Sequence, residues 1–266
     1  MKSLRTLSLP VLLGCLGLLS GCQSGTDSGT SSYTPPTDSP GNVLKVGVTP
    51  DMAPMVFKQA GKLTGFEIEM AREFGKYLER PVEFVQVKWA DQLTALQNGR
   101  TDIVMSSMSI TPQRRMLAAF SNPYMHVGQM MLVHRKDLYR YALGFPQPLP
   151  GTVGVQRGTV GEYVVEEMFA HSKKKTYRSI DDAVKDLANK RIDSVISDAQ
   201  IVLYQAALNQ TASLTVIPRM LHEDYLGWAV RPQDTELLTK VNEFIAKTQK
   251  DDSMNATIKR WMPLAQ

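Results

Sequence analysis

Asn98-Gly99-Arg100-Thr101-Asp102-Ile103-Val104-Met105-Ser106-Ser107-Met108-Ser109-Ile110-Thr111-Pro112-Gln113-Arg114 is the stretch on which the fold turns. Asn98-Gly99 reads as a helix end and turn. Ile103, Val104 and Met105 then make a short apolar run of the kind a buried parallel strand uses. Where that strand should end the chain becomes polar, with Ser106, Ser107 and Ser109. Thr111 before Pro112 reads as a helix start, Thr as N-cap and Pro as the first helical residue. Arg114 falls in the first turn, where a cation opposes the helix dipole and costs up to about 1 kcal/mol unless an anion joins it. Hydroxyls, helix N–H groups and a guanidinium gathered at a strand's carboxyl end suit a small carboxylate.

The stretch has an echo. Asn189-Lys190-Arg191-Ile192-Asp193-Ser194-Val195-Ile196-Ser197-Asp198 repeats Asn98 to Ser107 at one offset (193 − 102 = 91), and each copy follows a short amphipathic segment. Val46-Gly47-Val48 and Val153-Gly154-Val155 form a second matched pair, each the expected first strand of a unit. Matched segments in the same order predict two lobes of like topology. Where the first copy has Ser107, the second has Asp198. One lobe then presents a cation and hydroxyls and the other an anion, which suits a zwitterion held between them.

The chain has 266 residues, enough for one large or two modest domains, and a formal charge of +4. Lys2 and Arg5 precede an apolar run from Leu7 to Leu19 that is too short to span a membrane but fits a signal peptide. It ends Leu19-Ser20-Gly21-Cys22, which resembles a bacterial lipobox, so residues 1–21 are expected to be removed and Cys22 to be lipidated. Several acyl chains there would anchor the protein stably to a membrane outside the cytoplasm. Loss of Lys2 and Arg5 leaves +2, too little to imply a nucleic acid partner, and Cys15 leaves with the signal, which removes any disulfide. The remainder of 22–42, rich in Ser, Thr, Gly, Pro and Asp, reads as a tether.

Beyond the tether, strands alternate with helical segments, which predicts an α/β fold. Leu44 to Val48 reads as a strand, Phe66, Met70 and Phe74 mark the buried face of a helix, and Val82 to Val87 alternates like a strand. Val127 to Val133 is a further strand, and the Pro-rich segment 135–152 is the expected crossing between lobes. Ser179 with Asp182 makes a capping box. Lobe one is expected to comprise 43–134 plus 226–266, and lobe two 135–225. Lys173-Lys174-Lys175 reads as a solvated loop.

Leu44-Lys45-Val46-Gly47-Val48, Gly65-Phe66-Glu67-Ile68, Ser109 to Arg114, Phe120-Ser121-Asn122-Pro123-Tyr124, Val153 to Thr159 and Ile196-Ser197-Asp198, in that order behind a lipobox, resemble the family-3 solute-binding proteins of amino-acid ABC importers. The resemblance covers essentially all of 43–263. It implies a two-lobed periplasmic-binding-protein-like fold of type II, with two hinge crossovers, that closes on an amino acid or a close analogue and delivers it to an ABC permease. By the same resemblance Arg114 clamps the ligand's α-carboxylate, Ser107 and Ser109 bond the ligand, Asp198 receives the α-ammonium and Trp89 covers it. Thr159 and Val160 open the helix whose N–H groups face the carboxylate, Val160 standing where members often carry a Thr. Met52 replaces a second aromatic. Thr49 stands where members selective for basic amino acids have an Asp, which weighs against that selectivity.

Ser106 and Met108 are further candidates for the pocket, open between ligand contact and plain packing. His126, His134, His171 and His222 show no metal-ligand spacing, and no nucleophile elbow, P-loop or dinucleotide glycine pattern occurs, so neither metal nor cofactor is expected. The chain is expected to be a monomer and not an enzyme. The same fold hosts periplasmic dehydratases acting on prephenate or arogenate, for which Glu162 and Glu223 are the acids to nominate. A sensor that shows its closed form to a membrane receptor is the third reading.

Overall fold

The computed structural model describes residues 42–263. The signal segment, Cys22 and nearly all of the expected tether lie outside them. Strand β1 (Leu44–Val48) leads into a small antiparallel sheet of β2 (Asp51–Met52), β3 (Val56–Gln59) and β4 (Lys62–Thr64), then helix α1 (Phe66–Tyr77). Next come β5 (Val82–Gln86), α2 (Gln92–Gln97), β6 (Ile103–Val104), the single turn α3 (Pro112–Arg115) and β7 (Ala119–Phe120). The chain then crosses to β8 (Met125–His134), β9 (Thr152–Gln156), α4 (Val160–Met168), β10 (Lys173–Tyr177) and α5 (Ile180–Ala188). It continues through β11 (Ser194–Asp198), α6 (Ala199–Leu208), β12 (Leu214–Val216) and β13 (His222–Leu226). It returns with β14 (Ala229–Val230), α7 (Thr235–Lys250) and α8 (Ser253–Trp261).

The first lobe's sheet runs β5-β1-β6-β14-β7, and the second lobe's β10-β9-β11-β8-β12, with β13 also on β8. The 91-residue echo is structural. β1 pairs parallel to β6 with Gly47 opposite Val104, and β9 pairs parallel to β11 with Gly154 opposite Val195. Each unit therefore places the carboxyl end of its inner strand, and with it Ser107 or Asp198, toward the same side. Ligands in open α/β sheets bind outside such strand ends.

Two short crossings connect the lobes, 121–124 outward and 227–228 back. They are tied to one another: Tyr124 N–H donates to Leu226 O (3.0 Å) and Ser121 N–H to Trp228 O (2.9 Å). The sequence reading put Val127 to Val133 in the first lobe. The strand instead lies in the second sheet, paired antiparallel with β11, β12 and β13. Its apolar residues are needed there because helices cover both faces, α4 packing on Met131 and Val133 and α5 and α6 on Leu132. The Pro-rich segment that follows is thus internal to lobe two. Lys173 to Lys175 is also no loop but part of edge strand β10, where lysines discourage pairing with other chains.

Apolar packing explains why these lobes hold. Phe66, Met70 and Phe74 of α1 meet Trp228, Phe244 and Met254, so α7 and α8 close the first lobe. Trp261 Nε1 donates to Glu69 Oε2 (2.8 Å), fastening α8 to α1. In lobe two, Val160, Val164 and Val165 of α4 pack with Val155 and Ile196. A third cluster draws on both lobes and joins Leu96 and Val104 with their counterparts Leu187 and Val195, together with Met52 and Trp89. Ser179 caps α5 as expected, its Oγ accepting from Asp182 N–H (3.1 Å).

Candidate functional site

Arg114 sits in a helix of one turn, capped by Thr111 Oγ1, which accepts from Arg114 N–H (3.2 Å). The expected opposition to a helix dipole does not hold, because a single turn sums few peptide dipoles. Carbonyls hold the guanidinium instead. Nη1 donates to Ser109 O (2.8 Å) and Nη2 reaches across the cleft to Gly158 O (3.1 Å). Trp89 Nε1 donates to the same Gly158 oxygen (3.1 Å), and the guanidinium carbon lies 5.2 Å from the Trp89 ring centre. A cation over an indole face gains about 0.5–2 kcal/mol. Among the described residues no carboxylate comes within ion-pair distance of Arg114. Burial lowers its pKa from the usual guanidinium range, and the charges of Asp198 and Asp224 oppose that shift.

Asp198 ends β11 and is 8% exposed. It precedes α6 without capping it through its side chain. Gln129 Nε2 donates to Oδ1 (2.6 Å), while Ser107 Oγ and Gln200 Nε2 stand at 3.5 Å from Oδ2. Burial pushes the carboxyl up to about 6; the Gln129 bond and the Arg114 charge pull it down, and the Asp224 charge pushes it up. The structure thus brings Arg114, Ser107 and Asp198 together from opposite lobes, cation facing anion without touching it.

Ser107 has a left-handed backbone, with φ of 57°. That conformation is held from below. Ser107 N–H donates to Glu67 Oε1 (2.8 Å), which also accepts from Tyr124 Oη (2.5 Å), while Trp228 Nε1 donates to Glu67 Oε2 (2.8 Å). Glu67 is fully buried. Burial raises its pKa, and its three donors work against that rise.

The other predicted residues divide. Ser109 is buried and lends its carbonyl to Arg114, and Trp89 roofs the guanidinium. Ser106 Oγ accepts from Thr49 N–H (2.9 Å), a bond that ties two strand ends together. Thr159 Oγ1 is engaged at the start of α4, donating to Gln156 O (2.8 Å) and accepting from Glu162 N–H (3.4 Å). The Val160 side chain packs into the second lobe's core, and Met52 and Met108 are buried in the cluster that both lobes share. Thr49 is occupied too: Oγ1 donates to Val87 O (3.0 Å) and accepts from Gln92 Nε2 (2.8 Å). The mouth of the cleft, about 540 Å³, is lined by Arg114, Thr159, Val160, Tyr163, Asp224 and Tyr225.

Sequence reasoning passed over Gln129, Gln200, Asp224 and the role of Glu67. Asp224 and Gln129 carried a signal: each is a polar residue on the buried side of a strand, Asp224 alternating with Leu226 and Gln129 with Val127 and Met131. The nominated acids are poorly placed for proton donation. Glu162 accepts from Gly158 N–H (2.8 Å), Lys174 (3.2 Å) and Thr176 Oγ1 (3.0 Å), and these bonds hold its carboxyl below the usual range despite partial burial. Glu223 is exposed, beside His126 at 3.4 Å.

The model of the bacterial extracellular solute-binding proteins, family 3, matches residues 44–264. The chain belongs to that family. Among relatives within it, the probable histidine-binding protein of Neisseria gonorrhoeae is 28% identical over 220 residues, 81% of each chain. The L-cystine-binding protein TcyJ of Escherichia coli K12 is 29% identical over 220 residues, 82% of each chain. The crystal structure of the ancestral amino acid-binding protein AncCDT-1, a precursor of cyclohexadienyl dehydratase, superposes with a TM-score of 0.77 at 33% identity, covering 83% of this chain and 96% of that one. These family members bear out the type II periplasmic-binding-protein fold and the amino-acid-binding class of ABC importer components. Family membership also places the chain among extracytoplasmic proteins. No helix among the described residues is long and apolar enough to cross a membrane.

Proposed function

We propose that this chain captures an α-amino acid or close analogue between its lobes and presents it to an ABC permease. The observation that carries the reading is the opposition across the cleft of a half-buried Arg114 and a buried Asp198, neither of them in an ion pair. Arg114 takes the ligand's carboxylate, with Ser109 and the N–H groups at Thr159 and Val160 beside it. Asp198 takes the ammonium, with Ser107 alongside. Each charge is fully compensated only when ligand and both lobes meet, so binding favours closure. Trp89 covers the ligand, while Met52 and Met108 shape the adjoining wall and Ser106 holds it in place. Cys22 carries the lipid that anchors the chain to a membrane outside the cytoplasm, with residues 22–42 as its tether, and the protein works as a monomer.

A thermal-shift screen of the ligand-stripped chain against the proteinogenic amino acids tests this. A ligand at a thousand times its Kd adds about 4 kcal/mol, or roughly 8–16 °C for a body of this size. A shift of that order with one class of α-amino acid is expected. No shift with any of them rejects the reading.

A further inference from the structure

The cleft holds one acid more than a zwitterion needs. Asp224 of β13 is 5% exposed and shares a donor with Asp198: Gln129 Nε2 lies 2.6 Å from Asp198 Oδ1 and 3.1 Å from Asp224 Oδ2. Both carboxylates lie on one face of the second sheet, opposite Arg114. Glu67 is apart from this balance because three donors of the protein already satisfy it. A zwitterion would neutralise Arg114 and Asp198 and leave Asp224 with a shared amide and His222, whose Nε2 is 3.8 Å from Asp224 Oδ1 and whose side chain is 43% exposed. The unmet valences around the pair are all acceptors. Gln129 Oε1 and Gln200 Oε1 are buried without a partner, and Gln200 is the residue whose amide also reaches Ser107 and Asp198. A buried site short of donors and carrying an excess negative charge calls for a ligand with more N–H groups and more positive charge than a neutral amino acid.

Resting on the zwitterion reading above, we infer that Asp224 is a specificity-determining residue that receives a second cationic nitrogen, so that the ligand is a diamino or guanidino acid with net positive charge. Thr49 does not serve that purpose, since its side chain is spent on Val87 and Gln92.

The test uses calorimetric titration of the full chain, stripped of ligand, with three pairs that differ in tail charge. These are arginine and citrulline, lysine and norleucine, and 2,4-diaminobutyrate and 2-aminobutyrate. At least one cationic member should bind about thirtyfold tighter than its neutral partner, the scale of one charge-assisted hydrogen bond. Asp224→Asn should shrink that gap to about threefold or less while leaving the neutral partner within about twofold. Equal binding within all three pairs by the unmutated chain overturns the inference and leaves the zwitterion clamp standing, whatever the variant does. An Asp224→Asn variant that keeps the gap overturns it as well. Binding of none of the six overturns this inference, and the thermal-shift screen against all the proteinogenic amino acids then decides the clamp. Agmatine, which is arginine without its carboxylate, separates an amino acid from a plain amine: it should bind at least tenfold more weakly than arginine, and equal binding would overturn the clamp and with it the assignment of the ligand as an acid.

Discussion

Two buried acids of the first and second lobes are treated in opposite ways. Glu67 lies at the start of α1, with Ser107 N–H, Tyr124 Oη and Trp228 Nε1 all within 2.8 Å of its oxygens. Asp198 ends β11 with one short bond from Gln129 and two contacts at 3.5 Å. Both are pushed upward by burial, but only the first is completed by the protein. Glu67 fixes a hinge tryptophan, a hinge tyrosine and the left-handed turn at Ser107. Asp198, under the proposed function, is completed by the ligand. On that proposal the contrast separates an acid that builds the site from one that meets the ligand.

That contrast is most severely tested at Glu67. Glu67→Ala strands three buried donors and should cost about 3–5 kcal/mol of stability by urea denaturation; a loss below about 1 kcal/mol would erase the distinction. Asp198→Asn should act with the opposite sign. In the folded chain the Asp198 carboxyl sits at about 6, against about 4 when unfolded. Between those values the folded state keeps a proton that the unfolded state has lost, so stability falls as pH rises from about 4 to 6. Asn does not ionise. The ligand-free variant should therefore be more stable by about 2–3 kcal/mol at pH 7 and no different at pH 3.5, while binding is lost. Equal melting temperatures at pH 7 would show that Asp198 is satisfied without ligand. Arg114→Ala should weaken binding by about 1.5–3 kcal/mol with the fold intact by circular dichroism. The smallest effect is expected at Trp89, where Trp89→Leu removes the indole face and the bond to Gly158 and should raise Kd by about tenfold or less.

Much of this was legible in the chain. The offset of 91 residues predicted the matched strands, because a repeated helix-turn-strand unit repeats its pairing register as well. Arg114, Ser107 and Asp198 were readable as polar residues placed where buried strands end. Location was harder than identity. β8 is apolar on both faces and so gives no sign of which sheet it joins. Glu67 looked like an ordinary first-turn acid because Tyr124 and Trp228, its partners, lie 57 and 161 residues away. Asp224 was missed because its strand shows only two buried positions, and its meaning depends on Gln129 from another strand. At Ser106 and Thr159 the stretch was readable but not the bonding, since both hydroxyls are engaged with backbone.

The clamp itself is best tested by removing one charged end of the ligand at a time. The α-amino acid found in the thermal-shift screen is titrated beside its decarboxylated amine and its deaminated acid, into the unmutated chain, Arg114→Ala and Asp198→Asn. A zwitterion bridging the lobes requires that loss of the carboxylate costs at least about tenfold in the unmutated chain and less than about twofold once Arg114 is gone. Loss of the ammonium must behave likewise with Asp198. If Arg114→Ala still discriminates against the amine as strongly as the unmutated chain, the carboxylate lies elsewhere and the opposition of Arg114 and Asp198 is not the ligand clamp.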